Sequence, residues 1–216
     1  MDELIPLPSP GVALEYGDEG RPAVILLHDE FGRLPWMEPY AEALASRGGF
    51  RVLVPDLYDG VATTDDAESI RLSSALDHTQ IDGAIDDLIR TARAQGTPRI
   101  ALVGFGLGGA LALHHAQTGS AEAVAAYYAT LDTDEHTLIP CPVLLNLAES
   151  DAWTDGADPG SFIARLKDHG TPVAHHVYAG TGHSFANASL ARAIDSNAAA
   201  LAFARTTVFL EQHLDG

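Results

Sequence analysis

Val103-Gly104-Phe105-Gly106-Leu107-Gly108-Gly109-Ala110 joins an apolar run that reads as a buried strand to a segment that opens a helix. It matches the G-x-S-x-G nucleophile elbow except at its centre, where Gly106 stands in the place of Ser or Cys. Flanking glycines let neighbouring backbone pass without clash, while the central residue is held in an unfavourable conformation so that its side chain projects above the sheet. Glycine at that centre relieves the strain and removes the attacking atom.

Around the elbow, short β-rich runs alternate with stretches of helical period. The strand candidates are 12–16, 23–28, 50–55, 100–104, 123–128, 143–147 and 173–178. Most are apolar on both sides, as buried parallel strands are. Met37, Tyr40, Ala41 and Leu44 share one helical face, as do Ile81, Ile85, Leu88 and Ala92, and the final helix is expected to pack through Leu201, Ala204 and Val208. The alternation predicts an α/β fold: a mostly parallel sheet with helices on both faces. No internal repeat or linker composition breaks the chain, so residues 1–216 are expected to form one domain. The stretch from Asp59 to Ser74 mixes Gly, Thr, Asp and Ser before helical period takes over, and reads either as a loop or cap near a site or as a surface connection.

With 12 Lys and Arg against 30 Asp and Glu, the formal charge of -18 opposes binding to nucleic acid or an anionic membrane. The chain shows neither a basic start followed by an apolar run nor an apolar stretch of spanning length, and it carries one cysteine, so it is expected to be cytoplasmic, off the membrane and without an internal disulfide. A monomer is the default expectation.

Two further segments follow predicted strands and so lie at the carboxyl edge of the sheet, where open α/β sheets place ligands. Asp151 ends the first, and His183 sits in Gly180-Thr181-Gly182-His183-Ser184-Phe185. The order nucleophile position, acid, base is that of the α/β-hydrolases. In a working triad the carboxylate fixes the imidazole tautomer and the other ring nitrogen takes the nucleophile's proton.

From Ala23 to the last helix the chain resembles the dienelactone hydrolase family. The resemblance rests on His28-Asp29-Glu30-Phe31-Gly32, Pro55-Asp56-Leu57-Tyr58, the elbow at Gly104 to Gly109, Gly182-His183-Ser184-Phe185-Ala186, and the closing stretch from Ala200 to Phe209. It implies an α/β-hydrolase fold, a small-molecule acyl substrate such as an ester or lactone, no cofactor, and a site made of Gly106, Asp151 and His183. It also implies an oxyanion hole formed by the backbone N–H groups of Leu107 and Glu30. Asp29 takes the position of the acid that holds the family's resting thiol, one methylene shorter than the usual Glu. Asn187 stands where dienelactone-cleaving members carry a carboxylate-gripping Arg, and Phe31 lies in the same motif as an accessory residue.

Three functions from different classes follow. The first is a hydrolase of small esters or lactones, weakly active or inactive without a side-chain nucleophile, in which the room left by Gly106 admits a water activated by His183. The second is a non-catalytic protein that binds a small acyl compound in the old pocket. The third takes Gly104, Gly106 and Gly109 as G-x-G-x-x-G, with Asp132 as the ribose-binding acid of a dinucleotide site. That fingerprint normally opens the first βαβ unit, whereas here two strand–helix units precede it. His114 with His115 and His175 with His176 are adjacent pairs that point different ways, so no metal site is expected, and Cys141 between two prolines reads as a small buried residue.

Overall fold

The apolar runs become strands because they are short, rich in Val, Ile, Leu and Ala, and bury both faces. The computed structural model describes residues 4–153 and 156–215. In chain order it contains β1 (Ile5–Pro6), β2 (Leu14–Tyr16), β3 (Ala23–Leu27), α1 (Met37–Gly48), β4 (Arg51–Val54), β5 (Val61–Ala62), α2 (Asp66–Ser74) and α3 (His78–Ala94). There follow β6 (Ile100–Phe105), α4 (Leu107–Ala116), β7 (Ala123–Tyr127), β8 (Val143–Ser150), α5 (Pro159–Asp168), β9 (Val173–Gly182) and α6 (Ser196–Leu214). Seven strands form a sheet in the order β2-β4-β3-β6-β7-β8-β9, parallel except for β2, which runs antiparallel to β4 at one edge. Strands β1 and β5 pair separately.

Side chains alternate across this sheet with period two. Ala23, Ile25 and Leu27 of β3 join the core beneath α3, α4 and α5, whereas Val24 and Leu26 join the core beneath α1 and α6. The two layers of helices thus cover opposite faces. Asp65, Asp77, Asp158 and Asp195 cap α2, α3, α5 and α6, so part of the acidic excess serves helix starts, whose free N–H groups favour carboxylate oxygens. The stretch from Asp59 turns through a left-handed Asp59, pairs β5 with β1 and enters α2, with Thr63 N–H bonded to the Phe31 carbonyl. Among the described residues no helix is long and apolar enough to cross a membrane.

The structure corrects the face expected for the last helix. Leu201 and Val208 are 47% and 51% exposed, and α6 packs instead through Ala202, Thr206, Thr207, Phe209, Leu210 and Leu214. A threonine pair hides this face from a hydrophobicity pattern. Thr206 earns its burial by hydrogen bonding: its hydroxyl lies 2.7 Å from the Tyr127 hydroxyl and accepts from Asn146 Nδ2 at 3.1 Å, while Tyr178 donates to Asn146 Oδ1 at 2.8 Å. Thr206→Val keeps the shape but strands Asn146 Nδ2 and leaves the Tyr127 hydroxyl with that of Tyr40 alone, so a loss of about 1–3 kcal/mol is expected. An unchanged urea midpoint would show that the network adds nothing.

A second difference bears on the site. Strands β8 and β9 run beyond the ends expected at 147 and 178, because their polar tails go on pairing past a register shift until Ser150 meets Gly182. Backbone pairing leaves no hydrophobic trace, so periodicity stopped short. Asp151 and His183 are the next residues on these two paired strands.

His28, at the end of β3, is fully buried. Its Nδ1 lies 2.7 Å from the Asp29 carbonyl, and its Nε2 accepts the Leu57 N–H at 3.1 Å, which fixes a neutral tautomer protonated on Nδ1. Burial dominates over the nearby carboxylates and pushes its pKa down to about 4. The unfolded chain therefore takes up a proton on this ring below about pH 6.5 that the folded chain refuses, and stability falls as pH drops from there towards 4. For this one ring the loss is of order 3 kcal/mol, and buried His136, also lowered to about 4, acts in the same direction. The ring resonances of His28 followed by NMR from pH 7 to pH 4.5 test it, because the midpoint also carries the opposing gain from Asp29; a ring that protonates near pH 6.5 would contradict the buried neutral imidazole.

Candidate active site

The ends of four strands, β3, β6, β8 and β9, build the centre of the site. Strand β6 ends at Phe105, and Gly106 turns the chain into α4 with φ 48° and ψ −116°, a conformation L side chains rarely adopt. The turn is tight: a Cβ on Gly108 would lie 2.3 Å from the His28 carbonyl oxygen, so α4 can approach β3 only with glycine there. Because β3 pairs beside β6, with Leu27 opposite Gly104, the residues after β3 come alongside the elbow. The ends of β8 and β9 bring Asp151 and His183 to the same edge.

His183 Nδ1 lies 2.9 and 3.0 Å from the two Asp151 carboxylate oxygens. The Asp151 side chain is 4% exposed and that of His183 41%, so the acid is sheltered and the ring faces the opening. The other ring nitrogen, Nε2, lies 3.3 Å from the point a Cβ on Gly106 would occupy. Strained backbone gathers around the ring: Ser184 has φ 62°, and Tyr128 has φ 39° with its ring edge-on to His183 at 4.9 Å.

Glu30 alters the reading of the site. A Cβ on Gly106 would lie 2.5 Å from Glu30 Oε2, so the Glu30 carboxylate takes the room the glycine leaves. Its Oε1 is 3.3 Å from His183 Nε2 and 3.5 Å from the Ser184 hydroxyl. Burial raises the Glu30 pKa, but the hydrogen bond and charge of His183, together with the N–H groups of Glu30 itself and Leu107, outweigh it and hold the group below its ordinary value. Burial likewise opposes charge on His183, yet hydrogen bonds to Asp151 and Glu30 and their charges raise it to about 10. At neutral pH an imidazolium thus lies between two carboxylates.

Two expectations are corrected here. The space above Gly106 is not open to a water, and Glu30 contributes its side chain as well as its N–H. Sequence reasoning passed over that carboxylate because strand pairing, rather than spacing along the chain, brings it to the elbow. The one local hint was a second acid directly after Asp29 at the end of β3.

The accessory residues are placed differently from the centre. Asp29 is fully buried; its Oδ1 accepts the Phe31 N–H at 3.1 Å and its Oδ2 accepts from Asn187 Nδ2 at 2.8 Å. Burial, then the charge of Glu30, pushes its pKa up to about 8. Asn187 is also fully buried, so its amide braces Asp29 and does not face the opening where a substrate carboxylate would be gripped. Phe31 is 5% exposed in the core, with the Arg192 guanidinium 5.5 Å above its ring. Cys141 is buried away from the elbow, and burial pushes its thiol up to about 11, which disfavours the thiolate. A dinucleotide would need its pyrophosphate at the start of α4, where the Glu30 carboxylate stands and would repel it. Among the described residues no group of three or more His, Cys, Asp and Glu could hold a metal ion.

The family model described as the dienelactone hydrolase family matches residues 12–214. A protein of Bradyrhizobium sp described as "Probable 2-oxo-3-(5-oxofuran-2-ylidene)propanoate lactonase" is 27% identical over 213 residues, covering 90% of this chain and 85% of that protein. A carboxymethylenebutenolidase of Pseudomonas sp. (strain P51) is 30% identical over 195 residues, covering 83% and 80%. Among solved structures, a dienelactone hydrolase-like promiscuous phosphotriesterase from metagenomic libraries superimposes with a TM-score of 0.75 at 20% identity, over 91% of this chain and 88% of that one.

Proposed function

This chain belongs to the dienelactone hydrolase family, and from that membership we propose that it hydrolyses small esters and lactones at the site formed by Gly106, Glu30, Asp151 and His183. One observation carries the reading: an Asp-oriented imidazole directs Nε2 at the space above a nucleophile elbow, 3.3 Å from where a side chain on Gly106 would begin. An Asp–His pair held at that distance serves proton transfer to or from a reacting group. The lactonase and carboxymethylenebutenolidase relatives support lactones and esters as the substrate class. The N–H groups of Leu107 and Glu30 supply the donors that acyl chemistry needs for a developing oxyanion.

Because the elbow lacks its hydroxyl or thiol, turnover is expected to be modest. Triads deprived of a member keep roughly 10³–10⁴ over the uncatalysed rate. The test is hydrolysis of a short-chain aryl ester and a five-membered enol lactone. Saturable turnover above the buffer rate supports the reading. Background rates with saturable binding of the same compounds would make the chain an acyl-compound binding protein instead.

A further inference from the structure

The elbow motif gives no role to the Glu30 side chain, yet that side chain stands at the centre of the site. Its Oε2 lies 2.5 Å from the point where a side chain on Gly106 would start, its Oε1 faces His183 Nε2 at 3.3 Å, and the N–H groups of Leu107 and Glu30 favour its charged form. At 20% exposure it remains open to a ligand arriving at the sheet edge. A substrate carbonyl brought to the elbow must share the space above Gly106 with this carboxylate.

We propose that Glu30 is the nucleophile of this site, accepting the acyl group of the substrate as a mixed anhydride that water then cleaves at Glu30 Cδ. The inference rests on the acyl-hydrolase reading above. In the first step a Glu30 oxygen bonds to the substrate acyl carbon, the bond from that carbon to the leaving oxygen breaks, and that oxygen takes the Nε2 proton of the His183 imidazolium. Acylation removes the charge of Glu30, one of the two carboxylates that keep the proton on His183, so the ring becomes a base. In the second step water gives a proton to Nε2 and its oxygen bonds to Cδ, with the oxyanion facing the N–H groups of Leu107 and Glu30. Collapse breaks the bond from Cδ to the bridging oxygen, the product leaves as a carboxylate, and Glu30 loses its proton to solvent. A carboxylate is a weak nucleophile, so the leaving oxygen must be a phenol or enol and not a simple alcohol. Aryl esters and enol lactones are therefore the substrates, and plain alkyl esters are not.

A single turnover of an aryl acetate in H2(18)O, with protein in excess, separates the routes. The expected result is heavy oxygen in the peptide containing Glu30. Label found only in the released acetate would overturn the proposal. Glu30→Gln preserves size and cannot ionise; aryl ester turnover should fall at least 100-fold. Unchanged turnover would make the carboxylate a bystander, and a rise would make it a plug in the oxyanion hole; both overturn the proposal. If the unaltered protein hydrolyses no ester or lactone, the acyl-hydrolase reading fails by itself. Glu30 is then tested by stoichiometric labelling with a small epoxide, read by peptide mass spectrometry: one ester adduct at Glu30, absent in Glu30→Gln, supports its nucleophilicity, and no preference for Glu30 overturns it.

Discussion

Aryl ester hydrolysis by the His183→Ala variant is expected to fall by about 10²–10⁴, the range that a positioned acid or base contributes. Among the described residues, the ring is the one titratable group that touches both Asp151 and the space above Gly106. In the proposed route it protonates the leaving oxygen in one step and draws a proton from water in the other, so both steps suffer. Asp151 keeps a hydrogen bond from the Ala152 N–H at 2.8 Å in the variant, which limits collapse of the loop. A His183→Ala protein as active as its parent would remove the ring from the chemistry, and a preserved thermal transition would show that the loss is not one of folding.

The second large effect runs in the opposite direction. Gly106→Cys places a thiol at the elbow within reach of Nε2, but the new Cβ meets Glu30 Oε2 at 2.5 Å and adopts a φ that costs about 1–3 kcal/mol in an L residue. In the proposed arrangement the carboxylate also competes with the substrate carbonyl for the space beside the oxyanion donors. The single variant is therefore expected to remain slow, while Gly106→Cys combined with Glu30→Ala should exceed it by about 10²–10³, the usual worth of freed oxyanion donors. Burst release of the phenol measures it directly. If Glu30→Ala brings no gain in the Gly106→Cys background, the carboxylate does not obstruct the hole. The two backgrounds give Glu30 opposite signs: necessary with glycine at the elbow, obstructive with a thiol there.

Most of the fold was legible along the chain. The doubly apolar runs at Ala23, Ile100 and Ala123 become central strands because only a sheet covered on both faces can bury them. The flanking glycines Gly104 and Gly108 announced a turn where backbone passes close, and contacts with the backbone of Gly108, Leu27 and His28 account for them, whereas Gly106 faces the side chains of Glu30 and His183. Helix α6 was misread at its face because Thr206 is buried through hydrogen bonds and not through apolar area. The tails of β8 and β9 were missed because backbone pairing carries no side-chain period.

The sequence by itself determined the alternation of strands and helices, the elbow with glycine at its centre, and the order of Asp151 and His183 after it, since each is written in local period, turn chemistry or motif spacing. Tertiary structure alone decided what fills the elbow. Glu30 reaches Gly106 because β3 lies beside β6 in the sheet, and Asp151 meets His183 because Ser150 pairs with Gly182. Strand adjacency is a property of the whole sheet's packing, and no pattern read along one strand contains it.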